Sequence, residues 1–115
     1  LATVLEAAAE HGAVAAPAHP GRPKVGMFAH TDELGIPEGI RIVETLNGGS
    51  RDDEDQIAKD GAAANGYQGI GGSDSHIVSH IGRCGTRFEN PVRTIDDLVQ
   101  ELKGGRFEAV SLKEA

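Results

Sequence analysis

The sequence predicts an α/β fold in which parallel strands are flanked by helices. Three observations support this prediction: apolar residues at helical spacing, short apolar or β-branched runs that end at turn residues, and the alternation of these two patterns along the chain. The 115 residues include 16 glycines, and only 3% are aromatic. This is a thin supply of large core side chains, so we expect residues 1–115 to be one domain, or a piece of one, that gains stability from further protein contacts.

The first third of the chain predicts a helix, a strand and a long crossover. Apolar spacing predicts a helix over Leu1–His11, and Gly12 is a natural stop for it. The apolar run Ala13–Ala18 predicts a strand buried on both faces. The segment Arg22–Glu38 has no sustained period and predicts an irregular crossover, with one helical turn around Thr31–Glu33.

The remaining chain continues the alternation of strands and helices. The β-branched run Ile40–Leu46 predicts a second strand, and Ser50 is placed to cap a helix over Arg51–Ala64. Tyr67–Gly72 predicts a third, glycine-rich strand. The last predicted elements are a short strand over Cys84–Glu89, a helix from Thr94 to Lys103, and a strand over Phe107–Leu112.

Composition limits the partners and the location of the protein. Its 18 acidic and 11 basic residues give a net charge of -7, so nucleic acid is not expected as a partner except as a nucleotide substrate. The single cysteine, Cys84, excludes an internal disulfide and any multi-thiolate metal site, which suits the cytoplasm. No apolar run predicts a membrane span or an export leader. Because the sequence opens inside a predicted helix without Met, we interpret it as a piece of a longer protein.

The stretch Gly69–Gly82, "GIGGSDSHIVSHIG", contains residue types found in three kinds of functional site. A dinucleotide-binding loop is excluded because Asp74 stands where the third glycine is required, and the Gly-Lys-Ser/Thr of a P-loop is absent. A helical zinc-protease motif is excluded because Ile77, and not glutamate, follows His76. A third kind of site, built from Asp74 and His76 themselves, remains.

Asp74 and His76 follow one predicted strand, and His19 directly follows another. The carboxyl ends of parallel strands open on the same edge of a sheet, so these side chains are expected at one site. An imidazole, a carboxylate and a second imidazole would suit Zn, Mn or Fe. The alternative is that His19 only caps a strand and that Ser-Asp-Ser is an ordinary turn.

Three segments in order resemble a known family. They are "APAHPGRPK" (Ala16–Lys24), "RIVETLNGGS" (Arg41–Ser50) and "GGSDSHIVSHIGRCGTRFE" (Gly71–Glu89). Together they are similar to the carboxyl-terminal part of a PHP domain, the fold of the polymerase and histidinol phosphatase metallohydrolases. The pairing of A-H-P-G-R with G-S-D-x-H is the most specific element of this resemblance.

The resemblance implies part of a distorted (βα)7 barrel with two or three divalent metal ions at its carboxyl-end mouth. It implies that His19, Asp74 and His76 are metal ligands. The family's H-x-H pair and its other ligands are not recognisable in this sequence, so we expect them in a missing amino-terminal half of the barrel.

The implied activity is hydrolysis of a phosphate ester by metal-activated water, with a small phosphorylated substrate. Arg22 and Arg83 are candidates to bind phosphate oxygens, and His30 is a candidate substrate contact from the crossover. His80 is a candidate catalytic acid or additional ligand, although it could only orient its loop. Both arginines could instead be solvated or paired with carboxylates.

Two further residues are expected near the site, and two alternative functions are compatible with the sequence. Glu44 and Asn47 end the middle strand and are expected to border the same mouth. One alternative function is a non-enzymatic module, derived from a PHP domain, that binds a partner or stabilises a neighbouring domain. The other is a metal-dependent amide or lactone hydrolase, because barrel and ligands alone do not select phosphate.

Overall fold

The structure, a computed structural model, describes residues 1–113. The helices are α1 (Ala2–Glu10), α2 (Thr31–Leu34), α3 (Asp52–Asn65) and α4 (Ile95–Gly104). The strands are β1 (Ile42–Asn47), β2 (Gln68–Gly72), β3 (Cys84–Phe88) and β4 (Phe107–Ser111). Single 3-10 turns lie at Met27–Ala29 and Val78–His80. This part of the chain is a mixed α/β unit with one parallel and one antiparallel pair of strands.

The parallel pair carries the core. β1 pairs with β2 from Ile42 opposite Gln68 to Asn47 opposite Gly72, and α3 is the crossover between them. The buried core residues that pack together are Ile40, Val43 and Ala62, with Leu5, Met27 and Tyr67 against them. The predicted second and third strands and the helix between them are therefore confirmed, with bounds shifted by a few residues.

The last two strands differ from the expected parallel arrangement. β3 and β4 are antiparallel, with Phe88 opposite Phe107 and their ring centroids 6.3 Å apart. The connection through α4 leaves from the end of β3 and returns beside it, where the Glu89 N–H donates to the Arg106 carbonyl at 3.1 Å. Because the helix departs and returns at the same end of the pair, β4 must run back along β3. The expectation of parallel strands was wrong for this pair.

The strand predicted over Ala13–Ala18 is also absent from the structure, which has no regular element at these residues. The segment does lie beside β1, because the Pro17 carbonyl accepts the Glu44 N–H at 3.0 Å. Proline has no N–H to return to a neighbouring strand. The apolar composition of Ala13–Ala18 therefore indicates that the segment packs beside β1, but it does not indicate a strand.

The two long helices begin in different ways. Thr94 caps α4 as predicted, because its hydroxyl accepts the Asp97 N–H at 3.0 Å. The prediction that Ser50 caps α3 was wrong, because Arg51 is the N-cap residue and the Ser50 hydroxyl accepts from Arg22 at 2.9 Å. The first turn of α3 instead carries four acidic residues, which are favourable at the positive end of the helix dipole.

None of the helices within residues 1–113 combines the length and the apolar character needed to cross a membrane, and the longest has 14 residues.

Candidate substrate and metal site

The carboxyl ends of β1 and β2 lie side by side and bring two loops together. The Gly48 N–H donates to the Gly72 carbonyl at 2.9 Å, which continues the parallel pairing beyond β1. A Cβ atom on Gly48 would lie 2.5 Å from the Ser73 carbonyl oxygen. Glycine is therefore required here for the loop after β1 to approach the loop that carries Asp74.

Arg22 connects these loops through its guanidinium group. Its Nη2 atom donates to Ser50 Oγ at 2.9 Å, to Asp74 Oδ2 at 3.3 Å and to Asn47 Oδ1 at 3.4 Å. Its Nε atom lies 3.9 Å from Glu54 Oε2. A single side chain, which follows the turn at His19 and Pro20, thus contacts the end of β1, the start of α3 and the loop after β2.

The predicted ligand His19 is held by Glu44. The His19 backbone N–H donates to Glu44 Oε1 at 2.8 Å, and Asn47 Nδ2 donates to the same oxygen at 2.7 Å. His19 has φ of 31°, in the left-handed region that is uncommon for residues other than glycine. Its Nδ1 atom is buried and has no hydrogen-bond partner among the described residues. Residues expected only to border the mouth therefore fix the turn that carries His19.

Asp74 has a lowered pKa. Burial alone would raise its pKa, but hydrogen bonds from Arg22 and Asn47 and the Arg22 charge outweigh burial and lower the pKa below its ordinary value. The Nδ1 atom of His76 lies 3.0 Å from the Asp74 carbonyl oxygen and 3.9 Å from its carboxylate. The His76 side chain is 83% exposed. The exposed imidazole of His76 therefore lies beside Asp74.

An open cavity of about 930 Å³ lies at these strand ends. The charged and titratable side chains that line it are Arg22, Asp74, His76, His80, Arg83 and Lys113. Three of them are permanent cations and one is an anion, so the wall is net positive although the whole chain carries -7. Such a wall attracts anions.

The other two predicted histidines lie elsewhere. His19 and His30 line a separate cavity of about 660 Å³, whose other walls include Val25, Met27 and Leu34. His30 Nε2 lies within hydrogen-bond distance of the Lys24 carbonyl oxygen. The structure thus brings Arg22, Asp74, His76, His80 and Arg83 to one cavity and places His19 and His30 on another.

Some of these residues carry donor atoms that suit a metal ion. An imidazole nitrogen and a carboxylate oxygen are suitable donors for Zn, Mn or Fe, and the unpaired Nδ1 of His19 is the kind of atom a ligand would satisfy. However, no three His, Cys, Asp or Glu side chains within residues 1–113 are grouped to hold a metal ion. The described part of the chain therefore carries suitable donors without forming a metal site on its own.

Sequence reasoning missed three contributors. Ser50 was expected to cap α3 but binds Arg22, and Glu54 faces Arg22 from the first turn of α3. Lys113 reaches the cavity from beyond β4. The acidic start of α3 was visible in the sequence, but nothing there indicated that Arg22 would meet it.

Comparison with known proteins supports the resemblance. A family model described as PHP-associated matches residues 54–107, a little under half of the chain. The matched range runs from the first turn of α3 to the start of β4 and includes Asp74, His76, His80 and Arg83. No curated protein and no solved structure matched the chain.

Proposed function

Because residues 54–107 are a PHP-associated carboxyl-terminal region, we propose that this chain is the carboxyl-terminal part of a metal-dependent phosphoesterase. The observation that carries the proposal is the positively charged cavity at the joined ends of β1 and β2. Guanidinium groups bind phosphate oxygens through paired N–H donors. The substrate would be a small phosphorylated molecule.

The proposal includes the barrel and its metal ions. The chain would complete a distorted (βα)7 barrel with an amino-terminal half supplied from outside these residues. His19, Asp74 and His76 would contribute part of the ligand set for two or three divalent ions, Zn, Mn or Fe, and that half would contribute the rest. When bound, such ions supply an activated water and charge stabilisation for phosphoryl transfer.

The chain's own residues have separate roles in this proposal. Glu44 and Asn47 support the His19 turn, and Arg22 holds Asp74 in place and lowers its pKa. The cationic wall binds the phosphoryl group. His80 is half-buried on the same cavity and would donate a proton to the leaving oxygen.

The test uses the intact protein that contains this chain. Hydrolysis of phosphomonoesters and nucleotide phosphoesters is measured with Mn or Zn, and metal content is measured by elemental analysis. His19→Ala and Asp74→Ala should each reduce the rate by about 100-fold or more, since loss of a metal ligand removes several kcal/mol of transition-state stabilisation. Asp32→Ala, at an exposed carboxylate on α2, is the matched control. Unchanged rates and metal content in both ligand variants would disprove the proposal.

A non-enzymatic module is the second candidate, because residues 1–113 hold no grouped metal ligands. It predicts an intact protein with neither bound metal nor esterase activity. A metal-dependent amide or lactone hydrolase would bind metal but act on those substrates, so the same assay includes both bond classes. The free, buried thiol of Cys84 is consistent with the cytoplasmic location that we propose.

A further inference from the structure

We propose that the two arginines of the cavity have different tasks: Arg22 positions Asp74, and Arg83 recognises the phosphoryl anion. This inference rests on the proposed function, because it assumes that the cavity of about 930 Å³ receives a phosphorylated substrate. The sequence pattern alone would allow either arginine to bind phosphate, whereas this inference assigns phosphate binding to Arg83.

Arg22 is already engaged by protein groups. Its Nη2 atom has three acceptors, and the carboxylates of Asp74 and Glu54 lie within 4 Å of its guanidinium group. One positive charge beside two negative charges leaves a local excess of negative charge. A phosphate dianion would therefore be repelled from Arg22 unless these contacts were broken.

The contacts of Arg22 also have a structural consequence. Glu54 is buried, and its Oε2 atom has no hydrogen-bond partner among the described residues. The Arg22 guanidinium is the cation that faces this oxygen, at 3.9 Å. Removal of Arg22 would leave this buried carboxylate oxygen without a facing cation, which is costly. Arg22 therefore stabilises the site and sets the position of Asp74.

Arg83 has the opposite surroundings. It is half-buried on the same cavity, and within residues 1–113 no carboxylate lies within 4.0 Å of its guanidinium group. Its one side-chain hydrogen bond there is a long one, from Nη1 to the Gly48 carbonyl at 3.4 Å.

The backbone of Arg83 is fixed, because its carbonyl accepts the Leu112 N–H at 2.8 Å. Lys113, which follows Leu112 in the chain, lines the same cavity and adds a second positive charge. Arg83 is thus an anchored residue with N–H donors left for an anion, which is what bidentate phosphate recognition requires.

The first test measures inorganic phosphate binding to the intact protein that contains this chain by NMR titration, with thermal unfolding in parallel. Arg83→Gln should weaken phosphate affinity by about tenfold or more and shift the melting temperature by less than about 2 °C. Arg22→Gln should lower the melting temperature by about 5 °C or more. Arg93→Gln removes an exposed positive charge outside the cavity and should change neither quantity.

The second test measures phosphomonoester hydrolysis by the intact protein. Arg83→Gln should raise KM by about tenfold with a smaller change in kcat, since it removes substrate binding. Arg22→Lys, which keeps the charge in case the glutamine variant does not fold, should lower kcat with KM nearly unchanged, since Asp74 is no longer held by the guanidinium group.

The outcomes separate this inference from the proposed function. Absence of phosphate binding by the wild-type protein, or equal binding by wild type and Arg83→Gln, overturns the role of Arg83. A rise in KM for Arg22→Lys as large as that for Arg83→Gln overturns the division of tasks. Phosphate binding that depends on Arg83, in an intact protein that hydrolyses no phosphate ester, overturns only the proposed function.

Discussion

The backbone N–H of His19 donates to the carboxylate of Glu44 at 2.8 Å, although 25 positions separate the two residues. The same carboxylate oxygen accepts from Asn47 Nδ2 at 2.7 Å. Hydrogen bonds to an ionised acceptor are stronger than neutral ones. Glu44 therefore fixes the turn that presents His19, whose left-handed backbone conformation needs such support.

Replacement of Glu44 should loosen this turn. We expect Glu44→Ala to lower the free energy of unfolding by about 1–3 kcal/mol, since two donors lose a charged acceptor. Glu44→Gln should lose less, because one amide oxygen can still accept. Urea unfolding followed by circular dichroism gives both values, with the exposed Glu38→Ala as control. Equal effects of the Glu44→Ala and Glu38→Ala changes would refute the role of the His19 contact.

Two glycines provide a matched test of how the two sheets pack. A Cβ atom on Gly71 of β2 would overlap the Gly85 carbonyl oxygen of β3, whereas a Cβ atom on Gly85 would meet nothing within 4 Å. We expect Gly71→Ala to destabilise by about 1–3 kcal/mol through overpacking. Gly85→Ala should be neutral or stabilise by up to about 1 kcal/mol. Thermal and urea unfolding of both variants measure the difference, and a reversed order would show that the sheets are packed differently.

Glu101 makes stability depend on pH. Burial would raise its pKa, but hydrogen bonds from Asn90 and Arg106, together with the Arg106 charge, outweigh burial and hold the pKa below the ordinary 4.5. A lowered pKa means that the folded state binds fewer protons than the unfolded state near this pH. The contribution of Glu101 is therefore complete above pH 4.5 and is lost as pH falls through the lower, folded pKa.

The measurement is urea unfolding at pH 7 and at several values below 4.5, the ordinary pKa of glutamate. Glu101→Gln should lose stability at neutral pH and show a flatter acid dependence than the wild type. Glu89→Gln, at an exposed carboxylate between β3 and α4, should keep the wild-type slope. Parallel acid profiles for wild type and Glu101→Gln would contradict the assignment.

His76 and His80 line the same cavity but are expected to differ in metal binding. His76 lies beside the Asp74 carboxylate and is proposed as a ligand, whereas His80 is proposed to transfer a proton. In the intact protein, His76→Gln should lower metal content, and His80→Gln should lower kcat by about 100-fold with metal content unchanged. Elemental analysis and steady-state kinetics distinguish them. Retention of metal by His76→Gln together with loss by His80→Gln would reverse the assignment.

Local patterns in the sequence predicted most of the elements. The β-branched run became β1, the acidic segment became α3, and Thr94 caps α4. Each of these depends on residues close together in the chain. The strand predicted over Ala13–Ala18 was wrong because composition indicates burial but not pairing, and Pro17 limits pairing.

The sequence by itself determined the order of most of the elements and the segments that carry the candidate chemistry, because periodicity and motifs are properties of neighbouring residues. Only the tertiary structure decided how those segments meet. Arg22 and Asp74 are 52 positions apart, yet the parallel pairing of β1 and β2 brings their loops into contact. Arg83, in contrast, has no carboxylate within 4.0 Å among residues 1–113. Charge pairing depends on distance in space, so the different surroundings of two similar arginines appear only once the chain has folded.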